Sequence, residues 1–324
     1  MRIVPVVTLL LIALVTGCGV PSFLITPVQN TNKLEEVTVK EGAGWSHPKV
    51  ALIEVEGMLM NARTGGFLQP TENKLSLFTQ QMEQAARDDQ VKAVVLRINS
   101  PGGTVTCSDT MYEMVKKFRE KTKKPVIAAT QEVAASGAYF VACGCDEIVA
   151  HPTSVVGSIG VIFETFDVSR GLDKLGIKSE AIKSGDLKDM GSPFKPLAPE
   201  ARAVMQGMID EYYARFVTVV TSNRSIADQT KLKTATDGRV FSGRQALELG
   251  LVDRLGTLDD AIKLAKEKAG ARGASVVMYK RPYGYSGSIY ADASVPTPRA
   301  NVLYLDLPEA DVFLPRGFYY LWKP

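Results

Sequence analysis

The stretch VKAVVLRINSPGGTV, residues 91–105, decides how the chain folds. From Val91 to Ile98, apolar and β-branched residues crowd together without strict polar alternation, as in a strand buried on both faces. Asn99, Ser100, Pro101, Gly102 and Gly103 then break the strand. In the SDTMYEMVKKFREK that follows shortly after, Met111, Met114, Val115 and Phe118 recur at steps of three and four and leave the lysines outside. That spacing predicts a surface helix lying on a sheet.

The same grammar extends outward. Strand-like runs stand at VALIEV (50–55), PVIAAT (125–130), EIVA (147–150), GVIFET (160–165) and KSEAI (178–182). PEARAVMQGMIDEYYARFVTVV carries Val204, Met208, Phe216 and Val219 on one stripe, and SGRQALELG and TLDDAIKLAKEKAG give two more helices, so helices dominate from 198 to 269. Short β-branched runs separated by helices predict an α/β fold with much of its sheet parallel. Beyond about residue 271, a Pro- and Tyr-rich stretch ending in GFYYLWKP is expected to be an extended tail that packs on the body or on a neighbour.

The chain has 324 residues, 45% of them hydrophobic and 23% charged, which is ordinary globular composition. Its 38 basic and 35 acidic residues are spread along the sequence, giving a net charge of +3. With no basic block to track a phosphate backbone, nucleic acid is not an expected partner.

The opening MRIVPVVTLLLIALVTGCG has a basic residue, an apolar run from Ile3 to Val15, and then small residues, the layout of a secretory signal. The run is shorter than the roughly 20 residues a membrane-spanning helix needs. Val15-Thr16-Gly17-Cys18 resembles a bacterial lipoprotein box, which predicts a signal peptide over 1–18 with a lipidated Cys18 and a folded body outside the cytoplasm, tied to a membrane of the bacterial cell envelope. Residues 19–48 lack a sustained period and suit a flexible tether. The remaining cysteines, Cys107, Cys143 and Cys145, are an odd number for a disulfide framework and are expected to be buried thiols. With only His47 and His151 in the chain, a zinc site is not expected, nor is any other cofactor.

Ser136, in QEVAASGAYFVACGCDEI (131–148), is a hydroxyl among small residues where a strand gives way to an apolar run. It becomes a nucleophile only if something takes its proton. His47 lies in the tether, and His151 opens a loop-like HPTS. A desolvated lysine can serve instead, and AIKSGDLKDMGSPFKPL (181–197) offers Lys183, Lys188 and Lys195, among which spacing does not choose. Gly102 and Gly103, after a strand and before a helix, and the N–H of Gly137, opening the helix after Ser136, could together receive an oxyanion. The plain alternative is a Pro-Gly turn.

SPGG, ASGAY, PTSVVGSIGVIFE, KSGDLKDMGSP and DGRVFSGRQALELGLVD, in that order over residues 49 to 265, resemble the signal peptide peptidase SppA (protease IV) family of Ser-Lys serine peptidases. The resemblance implies a ClpP/crotonase-like fold of repeated β-β-α units, with a peptidase domain over 49–270 and a C-terminal extension over 271–324. It implies Ser136 as nucleophile and Lys188, at the lysine of SGxxKD, as general base. Gly103 and Gly137 match the oxyanion donors, and Ser158 matches a hydroxyl that positions the lysine. It also implies a homo-oligomeric ring with sites built across neighbouring protomers, and signal-peptide remnants as substrates. A groove near Val155, Val156 and Ile159 would then accept small or apolar side chains. A crotonase-type acyl-CoA enzyme and a catalytically inactive lipid-anchored scaffold of the same fold are the alternatives. SPFK (192–195) with KSG (183–185) mimics penicillin-binding motifs in the wrong order.

Overall fold

The computed structural model describes residues 33–43, 48–62, 72–281 and 317–323. The expected signal peptide, Cys18 and His47 lie outside the described residues. Eleven strands are described: β1 (Glu35–Lys40), β2 (Lys49–Glu56), β3 (Val91–Ser100), β4 (Gly102–Thr104), β5 (Val126–Ala135), β6 (Glu147–Ala150), β7 (Val155–Gly157), β8 (Val240–Ser242), β9 (Arg254–Leu255), β10 (Ser275–Lys280) and β11 (Tyr319–Leu321). The helices are α1 (Lys74–Arg87), α2 (Val105–Thr122), α3 (Gly137–Ala142), α4 (Ser169–Lys174), α5 (Pro199–Asn223), α6 (Gln229–Ala235), α7 (Gly243–Leu249) and α8 (Leu258–Lys268).

The main sheet runs β1-β10-β2-β3-β5-β6-β9, with β7 joining β5 and β8 joining β7. From β10 to β9 every neighbouring pair on that path is parallel, as the unalternating apolar runs require. Strand periodicity divides the core between two faces. Ala51, Ile53, Val94, Leu96 and Ile98 point to one, among residues of α1, α2, α3 and α5. Val50, Leu52, Ala93, Val95, Ile127 and Ala129 point to the other, which Leu258, Ala261, Ile262 and Ala265 of α8 cover. Thr257 and Asp260 close α8 with a reciprocal capping box, fixing where this lid begins.

Several expectations change. The expected tether contributes β1 and the expected extension contributes β10, paired antiparallel with each other, while β10 also joins β2 in parallel. The alternating EEVTVK suits an edge strand that shows one face to water. Of GVIFET only Ile162 makes a bridge, and 178–182 forms no strand. On α5 the buried stripe is Ala201, Met205, Phe216, Val219 and Val220, whereas Val204 is exposed. Cys107, Cys143 and Cys145 are free and buried. Burial pushes the Cys107 thiol up to about 11 and that of Cys143 to about 12, so neither is a thiolate at neutral pH.

Candidate active site

Strand β5 ends on Ala134 and Ala135, small enough for α3 to turn back sharply over the sheet. The turn is made at Ser136, whose φ of 52° and ψ of −119° lie where residues with a Cβ rarely sit. Its N–H donates to the Gly157 carbonyl at 2.7 Å, tying the corner to β7. The side chain is 1% exposed, and its Oγ is a buried polar atom with no hydrogen-bond partner. A strained corner holding an unsatisfied hydroxyl is costly twice over, a pattern that marks functional positions.

Glycines form the wall facing Ser136 because nothing larger fits. A Cβ on Gly103 would lie 1.9 Å from the Leu59 carbonyl oxygen. One on Gly137 would lie 2.3 Å from Ser108 Oγ and 3.1 Å from the Gly103 nitrogen. At Gly102, φ is 105° and a Cβ would meet the Gly137 nitrogen at 2.7 Å. The start of α3 and the backbone of β4 are therefore in close contact. On one edge of β4, Leu59 donates to Gly102 O at 2.8 Å and accepts from Thr104 at 2.9 Å, which leaves the Gly103 N–H on the opposite edge.

Ser158 follows Gly157, and Gly157 is paired with Ala135. The two serines thus leave adjoining strands at the same level. Ser158 shares the φ of 52° and is held by its N–H to Arg239 O at 2.8 Å. Ser136, Gly103, Gly137 and Ser158 are brought together within one chain.

Lys188 is not brought to them. It is exposed, and Ser136 Oγ bonds to nothing. Its neighbours are engaged: Lys183 and Lys195 both bond Asp189, at 2.8 Å and 2.5 Å. The hydrogen bond to Asp189 raises the Lys183 ammonium's pKa, and the same lysines hold the Asp189 carboxyl down at about 2. Both are thus engaged in ion pairs, while the Lys188 side chain has no hydrogen bond or ion pair among the described residues. His151 is exposed and contacts Thr153 Oγ1 at 2.8 Å rather than Ser136.

The aromatic tail packs on the body, one of the two outcomes expected, and does so as a strand that the sequence reading did not place. β11 pairs antiparallel with β4, Tyr320 opposite Gly103, and Tyr320 is fully buried. The usable signal was FYYL, a β-prone aromatic run inside a stretch read only as an extension.

Fold and corner together define a hydrolase-like α/β protein with a serine at the junction of a strand and a helix. Known proteins place it further. Residues 118–272 match the model of peptidase family S49, and residues 50–156 match that of Clp protease, the fold expected from the sequence. A Synechocystis sp. protein named as a protease is 39% identical over 222 residues, covering 68% of this chain and 75% of its own. An Enterococcus faecium protein named as a signal peptide peptidase SppA is 35% identical over 250 residues, covering 77% and 72%. A Methanocaldococcus jannaschii protein named as a protease is 40% identical over 198 residues, covering 61% and 63%. The chain belongs to peptidase family S49 and is an SppA-like serine peptidase.

Proposed function

We propose that the chain is a Ser-Lys endopeptidase that hydrolyses cleaved signal peptides and other membrane-associated peptides. Ser136 Oγ attacks the peptide carbonyl, and the Gly103 and Gly137 N–H groups receive the oxyanion. The amine of Lys188 takes the serine proton and returns it to the leaving nitrogen. The observation that carries this reading is the buried, unpartnered Ser136 Oγ at a strained corner facing a glycine wall.

Because Lys188 is exposed within its own chain, the base for Ser136 comes from a neighbouring copy. Leu175, Ile177, Ile182 and Phe194, about half or more exposed, lie on the same stretch of chain and are apolar side chains that a second copy would cover. Burial against that copy would dry the amine, which a lysine needs in order to be neutral near pH 7. Ser158 would hold the arriving Nζ. A lipidated Cys18 would hold the assembly on a membrane, with the peptidase body outside the cytoplasm.

A fluorophosphonate probe tests the nucleophile. Labelling is expected in the wild type and absent in Ser136→Ala; persistent labelling removes Ser136 from its role. Lys188→Ala and Lys188→Arg are both expected to be inactive with the oligomer intact, since guanidinium does not act as a base near neutral pH. Activity retained in these variants and lost in Lys183→Ala would transfer the role to Lys183. Radiolabelled palmitate should enter the wild-type chain and not Cys18→Ala.

A further inference from the structure

Two glycine turns meet at one buried hydroxyl. Ser100, the last residue of β3, is fully buried. Its Oγ donates to the Gly57 carbonyl at 2.6 Å and accepts from the Gly102 N–H at 3.1 Å. The first bond reaches across 43 residues to the chain leaving β2, and the second closes a local turn over Pro101. The Gly57 N–H donates to Asn99 O at 3.1 Å, so the turn after β2 is tied to the end of β3 by both of its backbone groups. Both turns need glycine, since φ is 60° at Gly57 and 105° at Gly102.

These bonds set the direction of one N–H. In a trans peptide the carbonyl and the following N–H point opposite ways. The Gly102 carbonyl accepts from the Leu59 N–H at 2.8 Å, which turns the Gly103 N–H to the other edge. There the Gly103 nitrogen lies 3.1 Å from a Cβ built on Gly137, on the side where Ser136 opens α3. A peptide unit between two glycines rotates at little steric cost, so its orientation has to be held by hydrogen bonds. Ser100 holds it from both ends: the bond to Gly57 O fixes the stretch that carries Leu59, and the bond from Gly102 N–H fixes the glycine itself.

We infer that Ser100 is a positioning residue for the oxyanion site, its hydroxyl keeping the Gly103 N–H on the side of Ser136 without touching substrate. This rests on the reading of Ser136 as nucleophile and Gly103 as an oxyanion donor. The effect of Ser100 is then confined to states with negative charge on the former carbonyl oxygen. Binding of the uncharged peptide does not draw on it, so kcat and KM separate.

Ser100→Ala tests this in the full-length assembled protein, with Ser100→Cys as a variant that keeps the space filled but bonds weakly. Each is compared with the wild type in kcat, in KM, and in affinity for a peptide aldehyde and the matching peptide alcohol. On the aldehyde, Ser136 Oγ bonds to the carbonyl carbon, its proton passes to the base, and the carbonyl oxygen becomes the oxyanion; the alcohol forms no adduct. Ser100→Ala is expected to lower kcat and aldehyde affinity together by about ten- to a hundredfold, less than the loss of a whole donor because Gly137 remains. KM and alcohol affinity should stay within about twofold, and Ser100→Cys should fall between Ser100→Ala and the wild type. Wild-type kcat and aldehyde affinity in Ser100→Ala overturn the inference. An equal loss for aldehyde and alcohol also overturns it, since the hydroxyl would then support the groove as a whole. Should Ser100→Ala fail to fold, the same comparison in Ser100→Cys decides. A wild type that binds the aldehyde no more tightly than the alcohol instead brings down the assignment of Ser136 and Gly103 beneath it.

Discussion

At the scale of single residues, the φ of 52° at Ser136 carries a stability cost that catalysis would explain. The conformation strains any residue with a Cβ and suits glycine. Ser136→Gly and Ser136→Ala should both be inactive, yet the glycine variant is expected to melt about 2–4 °C above the alanine variant, the shift that about 1 kcal/mol of relieved strain gives in a domain of this size. Equal melting temperatures by calorimetry would mean that the corner is unstrained. Ser136 and the glycines were readable from sequence because their chemistry is local: a hydroxyl before a helix start, and a Gly-Gly pair after a strand. The partner of the hydroxyl was not readable, because Lys183, Lys188 and Lys195 differ only in how Asp189 engages them, and that takes coordinates to see.

At the scale of elements, the segment from Lys183 to Lys195 is a clamp. Asp189 draws in Lys183 and Lys195 and leaves Lys188 projecting between them. The hydrogen bond from Lys183, then that from Lys195, lowers the Asp189 carboxyl to about 2 from its ordinary 3.8. A depressed carboxylate stabilises its contacts above the ordinary value and loses them as pH falls towards the folded one, so the clamp should open only between about pH 4 and 2. Carbon-13 NMR of the Asp189 carboxyl should titrate near 2; a midpoint near 3.8 would show no clamp. Asp189→Asn should lower kcat by about ten- to a hundredfold with little change in KM, through displacement of Lys188. β2, β3, β5 and β6 were legible because burial on both faces leaves an unbroken apolar run. β1 and β10 were missed because each lies in a stretch read as tether or extension. KSEAI looked strand-like but has no neighbouring strand to bond.

At the scale of the whole molecule, one chain brings Ser136 and a glycine wall together and leaves Lys188 exposed, with no lysine or histidine bonded to the Ser136 hydroxyl among the described residues. In the proposed assembly, exposed apolar residues of the Lys188 stretch and the unpartnered hydroxyl at Ser136 would be two halves of one contact, made when copies meet head to tail. Sequence alone shows neither half as incomplete, since exposure and partnership are properties of the folded surface. The tail adds a second whole-chain relation, carrying the end of the polypeptide back to the strand at its Gly102–Thr104.

The most direct measurement mixes Ser136→Ala and Lys188→Ala chains, each inactive alone, after dissociation and reassembly. If the serine of one copy is served by the lysine of the next, peptidase activity should return at about a quarter of the wild-type level, the chance that an intact serine meets an intact neighbouring lysine in a random ring. A reassembled mixture that stays silent, while wild type taken through the same steps recovers fully, would contradict a base supplied from the neighbouring copy.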